Sequence, residues 1–317
     1  MMFRSFCLAT CAATLALGGC TATVARDAPQ AAAAPVAASE QRAKNVILFI
    51  GDGMGISTVT AARIYAGQKQ GQTGEEYVLP FETFEHLALV KTYNSNAQVP
   101  DSAGTASAMN TGVKTNIGMI GYAPVAINGD CRSGQGHELP LVSEEAREHG
   151  KALGIVSTAR ITHATPAAVY ARSVDRDWEG DNEIPEDQRG LGCPDIARQL
   201  MATPFDVALG GGSAAFFGKA KGGHRLDDGA DLAGEWSAAT GGSFVTTAAE
   251  MNAAPAGKPL FGLFSPSHMT YVVDRAADSS VYSPNAWPHE RYSTYKSLFF
   301  LCPLQRLIFL LSNGLKS

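Results

Sequence analysis

The chain is poor in clustered charge. Its 25 Lys and Arg stand against 30 Asp and Glu, a net charge of −5, and it contains no basic run. Binding to a phosphate backbone draws on clustered cations, so nothing electrostatic points to nucleic acid. No Gly-x-Ser-x-Gly elbow is present, which disfavours a triad hydrolase of that type. Cysteine is scarce, at positions 7, 11, 20, 131, 193 and 302. Residues 291–317 contain no Asp, Glu or His, so this stretch offers no carboxylate or imidazole to a site.

What is present begins with a leader. "MMFRSFCLATCAATLALGGC" carries Arg4, an apolar stretch and small residues before Cys20. It is too short to span a bilayer and reads as a secretory signal over residues 1–20. Leu17-Gly18-Gly19-Cys20 also resembles a bacterial lipoprotein box, in which Cys20 is lipidated and tethers the protein to a membrane; ordinary cleavage nearby is the alternative. Residues 21–43 are rich in Ala and Pro, lack a large apolar face and read as a tether. The folded domain is expected over 44–291. Residues 292–317 form an apolar tail of different texture, interrupted by Pro303 and Arg306 and too short for a membrane helix. Thiols of an exported chain tend to pair. Cys7 and Cys11 leave with the signal, so Cys131 with Cys193 is the expected disulfide and Cys302 is odd.

Strand and helix signals alternate through the middle. Residues 45–50 ("NVILFI") read as a buried strand and 56–66 as the following helix, with a second strand at 87–94 ("LALVKTYN"). Helices are expected at 101–113, 139–151 and 194–201, and strands at 152–159 and 205–212. This order predicts an α/β fold, a mainly parallel central sheet sandwiched between helices.

Three stretches carry chemistry. "GDGMG" at 51–55 holds Asp52 where a buried strand ends, which is where open α/β sheets bind ligands. Helix capping is the bland alternative. "PDSAGTASAMNTG" starts a helix at Ser102, over unpaired N–H groups and the positive end of the helix dipole. A phosphate is held well there, and a serine nucleophile needs a base or a metal to activate it. In "THATPAAVYARSVDRDW", His163 and Thr165 are two apart and face one side of an extended segment, toward one ion or its waters. Arg176 offers a planar fork for a tetrahedral oxyanion, although Arg172 and Arg176 at i, i+4 also fit a solvated helix face.

Together, "NVILFIGDGMG", "DSAGTASAMNTGVKTN" and "THATPAAVYA" resemble the alkaline phosphatase family, over about Asn45 to Arg291. His163 and "DRDW" at 175–178 are similar to its animal-type branch, as is the spacing of Cys131 and Cys193. The resemblance implies phosphomonoester hydrolysis with Zn2+ and Mg2+ as cofactors, in a fold that is usually a homodimer. It implies that Asp52 bridges one zinc and the magnesium and that Ser102 is phosphorylated and then dephosphorylated. It also makes Thr165 a magnesium ligand with His163 beside it, and Arg176 the holder of two phosphate oxygens.

The family's later metal-ligand stretches, of the "EGG-x-IDH-x-x-H" and "ADH" kind, have no counterpart in this sequence, and "GLFSPSHM" has Ser265 where the animal-type calcium site has an acid. The chain as given is therefore expected to have no appreciable turnover. Two other readings compete: a non-catalytic phosphate- or metal-binding lipoprotein, and a phosphodiesterase or sulfatase of the same superfamily. Sulfatases need a modified Cys or Ser followed by Pro and Arg, which "DSAGT" lacks.

Overall fold

The computed structural model describes residues 45–271, residue 274 and the strand Arg306–Asn313. The apolar run after residue 45 forms β1 (Val46–Asp52), and α1 (Ile56–Gln68) follows it. Between them Gly53 takes φ 67°, the left-handed conformation that makes this turn sharp and that a side chain would strain. Then come α2 (Ser102–Thr111), α3 (Cys131–Gly134), α4 (Val142–Glu148) and β2 (Ala152–Arg160). They are followed by α5 (Ala164–Ala167), α6 (Ile196–Ala202), β3 (Val207–Gly211), α7 (Leu232–Thr240) and β4 (Ser243–Val245). The last elements are α8 (Ala248–Ala253), β5 (Leu260–Leu263) and β6 (Arg306–Asn313).

Local chemistry sets the helix starts. Asp101, Asp195 and Asp231 each accept a backbone N–H of the first turn that follows, and Thr247 and Glu250 form a capping box. The strands make one six-stranded sheet in the order β1-β6-β2-β3-β5-β4, with every pairing parallel. This is the α/β, mainly parallel sheet that the alternation predicts. β2 is buried along most of its length, as a parallel strand covered on both faces must be. Its neighbours pack aromatic rings: Phe205 stacks on Trp236 at 5.2 Å, and Phe261 meets Phe216 edge-on at 5.2 Å.

Three details differ from the sequence reading. Residues 87–94 form no strand, because no described strand lies beside them to complete a ladder. Leu87 and Leu89 are more than 90% exposed, at 91% and 93%, while Lys114 Nζ donates to the carbonyls of Lys91 and Tyr93. Arg172 and Arg176 do not share a helix face; Arg172 turns to Glu144 and Leu139 O, whereas Arg176 turns to Asp101 and His163. Within the apolar stretch 292–317, residues 306–313 pair with β1 on one side and β2 on the other. The signal, the tether and Cys20 lie outside the described residues.

Cys131 and Cys193 are joined, with Cα atoms 5.9 Å apart at a sequence separation of 62. The bond ties the loop before α6 to a small core of Met119, Tyr122, Val174 and Trp178.

Candidate active site

The loops at the carboxyl ends of β1 and β2 and the start of α2 bring the predicted residues together. Asp52 ends β1, and its Oδ2 accepts a hydrogen bond from Thr165 Oγ1 at 2.8 Å. His163 Nδ1 lies 3.9 Å from the same oxygen. The two side chains converge on Asp52 as expected, but the backbone between them is a helical turn: His163 caps α5 and Thr165 lies inside it.

Asp101 is the hub of the second half. Its Oδ1 accepts from Asn94 Nδ2 at 2.9 Å and Gly104 N at 3.0 Å. Its Oδ2 accepts from Gly118 N and Arg176 Nη1, both at 3.0 Å. Burial pushes this carboxyl up, but the Gly104 amide, Asn94 and the Arg176 cation together hold it below the usual carboxylate range. Asp101 is thus a cap and an anchor for Arg176. Ser102 follows it at the first helical position, partly exposed, and its hydroxyl has no hydrogen-bond partner among the described residues.

Arg176 also reaches His163, with Nη2 3.1 Å from Nε2. A guanidinium only donates, so Nε2 is the acceptor and the ring proton of neutral His163 sits on Nδ1. Burial, then the Arg176 cation, lowers the His163 pKa to about 4, so the ring is neutral at ordinary pH. Its Nδ1 is buried and lacks a hydrogen-bond partner.

Thr162 and four residues that sequence reasoning missed complete the surroundings. Arg160 Nε donates to both oxygens of Glu179, at 3.0 and 2.8 Å, and Thr162 Oγ1 donates to the same carboxylate at 2.6 Å. Glu179 is buried; desolvation pushes its pKa up, and Arg160 and Thr162 more than offset that. Arg160 Nη1 lies 2.8 Å from His268 Nε2, and the His268 ring meets His163 at 5.2 Å. Asn94, buried against Gly104, is the fourth. No local pattern marks any of them: His268 is 108 residues from Arg160.

Asp52 and Thr165 supply hard oxygens of the kind magnesium takes, with water completing the shell. The orphaned His163 Nδ1–H, facing Asp52, suits a bound water. The described residues alone do not complete a zinc site. It needs three or four protein ligands, and among the described residues no group of three His, Cys, Asp or Glu is placed to hold a metal.

The parallel sheet, with a serine at a helix start, an anchored arginine and a carboxylate at a strand end, defines an α/β protein. Residues 43–285 match the alkaline phosphatase family. The chain belongs to that family. It is 46% identical over 252 residues to the tissue-nonspecific alkaline phosphatase of Gallus gallus, covering 74% of this chain and 48% of that one. It is 42% identical over 254 residues to the alkaline phosphatase of Gadus morhua, covering 75% and 53%. The chain therefore spans about half the length of the curated relatives it matches. Among solved structures, the Thermus thermophilus alkaline phosphatase superposes with a TM-score of 0.64 at 26% identity, covering 86% of this chain and 50% of that one. The enzyme from the Antarctic bacterium TAB5 gives 0.59 at 23% identity over 86% and 65%, a likeness of fold.

Proposed function

We propose that this site serves phosphomonoester hydrolysis through a phosphoserine on Ser102, with zinc and magnesium as cofactors. The observation that carries the reading is the Asp101–Arg176 pair, which stations a guanidinium fork beside the residue preceding Ser102. In this reading Arg176 binds two oxygens of the phosphoryl group. Ser102 Oγ gives its proton to solvent and attacks phosphorus in line, the Oγ–P bond forms, the P–O bond to the alcohol breaks, and the leaving alkoxide takes a proton back from solvent. Water then attacks the phosphoserine, Oγ–P breaks, and phosphate leaves as the serine regains its proton. Bound metal supplies charge that stabilises the serine alkoxide. Because the described residues fall short of a zinc site, turnover by this chain alone is expected to be absent.

Residues 21–317, purified with excess zinc and magnesium, should leave an aryl phosphate intact. Turnover at the rate of a relative, abolished by chelator and by Ser102→Ala, would establish the reaction and overturn the expected inactivity. The reaction itself is tested in a chimaera that continues this chain with the second half of a relative. Ser102→Ala should abolish covalent labelling by radioactive phosphate there, and labelling that survives the substitution would sink the phosphoserine. That no such metal-ligand cluster occurs among the described residues favours a second reading, a non-catalytic phosphate binder. Arg176-dependent phosphate binding without labelling, even in the chimaera, would select it.

Export and lipid anchoring at Cys20 belong to the same proposal, supported by Leu17-Gly18-Gly19-Cys20. Labelled palmitate should enter the protein and fail to enter Cys20→Ala. Assembly as a homodimer is also proposed, and a monomer by sedimentation would exclude it.

A further inference from the structure

The segment after β5 carries an imidazole into the site from a part of the chain that the proposed reaction does not use. Gly212 N donates to the carbonyls of Ser265 and Ser267, both at 2.9 Å, and Met269 N donates to Thr158 O at 3.0 Å. These bonds pin residues 265–269 to the ends of β2 and β3 and deliver His268 to the face of the site. There the ring is held by Arg160, whose Nη1 donates to Nε2 at 2.8 Å, so the ring proton of His268 sits on Nδ1. Arg160 is itself fixed by Glu179, whose carboxylate takes Nε and Nη2 of the guanidinium and the Thr162 hydroxyl. A buried carboxylate with this many donors holds its partner in one geometry.

His268 in turn meets His163 at 5.2 Å with the ring planes 72° apart, an edge-to-face contact. His163 has two polar directions that matter, Nε2 toward Arg176 and Nδ1 toward Asp52. Turning the ring breaks the bond to Arg176 and swings Nδ1 away from Asp52. We infer that His268 is a positioning residue for His163, and that the Arg160–Glu179 pair is the mount that holds His268 against it. Through one imidazole the mount steadies Arg176 and sets which ring nitrogen faces Asp52. The inference rests on the reading of those residues as the site, but its test uses no turnover and can fail while that reading stands.

The test is nitrogen NMR of the 15N-histidine-labelled, metal-free chain, with His163 assigned by its loss in His163→Gln. The unsubstituted chain should show His163 as the Nδ1–H tautomer. In His268→Ala that signature should collapse toward an average of the two tautomers, with the backbone spectrum otherwise retained. His268→Phe, which keeps an aromatic ring at the contact, should preserve it. Glu179→Ala should lose it as His268→Ala does, and the double variant should lose no more. An unchanged His163 tautomer in a folded His268→Ala chain would overturn the inference. So would equal loss in His268→Phe, because the ring contact would then not be what orients His163.

Discussion

Asp101 Oδ2 accepts a hydrogen bond from Arg176 Nη1 at 3.0 Å, joining residues 75 positions apart. The same carboxylate caps α2 through Gly104 N. One side chain therefore does two jobs that the sequence presents separately: it starts the helix that carries Ser102, and it anchors the arginine beside that helix start. The other Oδ1 donor, Asn94, makes the arrangement rigid by bonding the carboxylate from a buried position.

Asp101→Ala should therefore cost more than an ordinary cap. Cap loss is about 1 kcal/mol, and leaving the half-buried Arg176 cation without its partner adds a comparable amount, about 2–3 kcal/mol in all. Asp101→Asn keeps a capping oxygen and should fall between. Urea unfolding midpoints read this directly; equal midpoints for all three chains would refute it.

Gly104 gives a sharper case because two effects oppose each other. Alanine in a helix is favoured over glycine by about 1 kcal/mol. A Cβ at Gly104, however, would sit 2.4 Å from Asn94 Oδ1 and 2.7 Å from its Cγ, so Asn94 must move. Moving it breaks its bond to a charged carboxylate, worth about 1.5–3 kcal/mol, and adds overpacking. Gly104→Ala should be destabilising by about 2 kcal/mol. A stabilised variant would mean that Asn94 is not held where it lies.

The disulfide acts on the unfolded chain. A loop of 62 residues is closed by Cys131–Cys193, which the chain-entropy account values at about 4 kcal/mol. Cys131→Ala with Cys193→Ala should lower stability by up to that amount, read by denaturant titration under oxidising conditions. No difference from the unsubstituted chain would show that the loop is equally restricted without the bond.

Much of this was legible in the sequence because its signals are local. The apolar run at 45–50, the Asp-Ser step at 101–102 and the spacing of His163 and Thr165 each report on a few neighbouring residues, and Asp52, Thr165, His163, Arg176 and Asp101 meet in one connected set of side chains. What was not legible depends on contacts distant in sequence. Residues 87–94 have the apolar texture of a strand, but a ladder also requires a neighbour, and none is described there. His163 and Thr165 converge through a turn that Ala164 and Pro166 enter easily, which alternation alone does not anticipate. Glu179 and Arg160 look like ordinary surface charges until β2 and the loop before α6 put one against the other. His268 looked like part of a failed calcium motif rather than a neighbour of His163.

His163 also makes a prediction about pH, for the chain freed of metal by chelator. Its pKa is lowered to about 4, first by burial and then by the Arg176 cation, whereas an unfolded histidine titrates near 6.5. Between those values the unfolded chain holds a proton that the folded chain refuses, so protons favour unfolding and stability falls as pH drops. Above about pH 7 neither state is protonated and the effect is absent; below about pH 4 both are, and it levels off. The full loss across the window is about 3 kcal/mol. Asp101 and Glu179, whose pKa values are also lowered, act in a different range: their contributions are lost only as pH falls past the ordinary carboxylate value near 4. Between pH 5 and 7 the histidine should therefore dominate. Urea titrations at pH 7 and pH 5 should show the unsubstituted chain losing about 2 kcal/mol more than His163→Gln, whose side chain does not titrate. Parallel pH dependence in the two chains would mean that His163 is solvated or charged in the folded state, and that Arg176 does not donate to it.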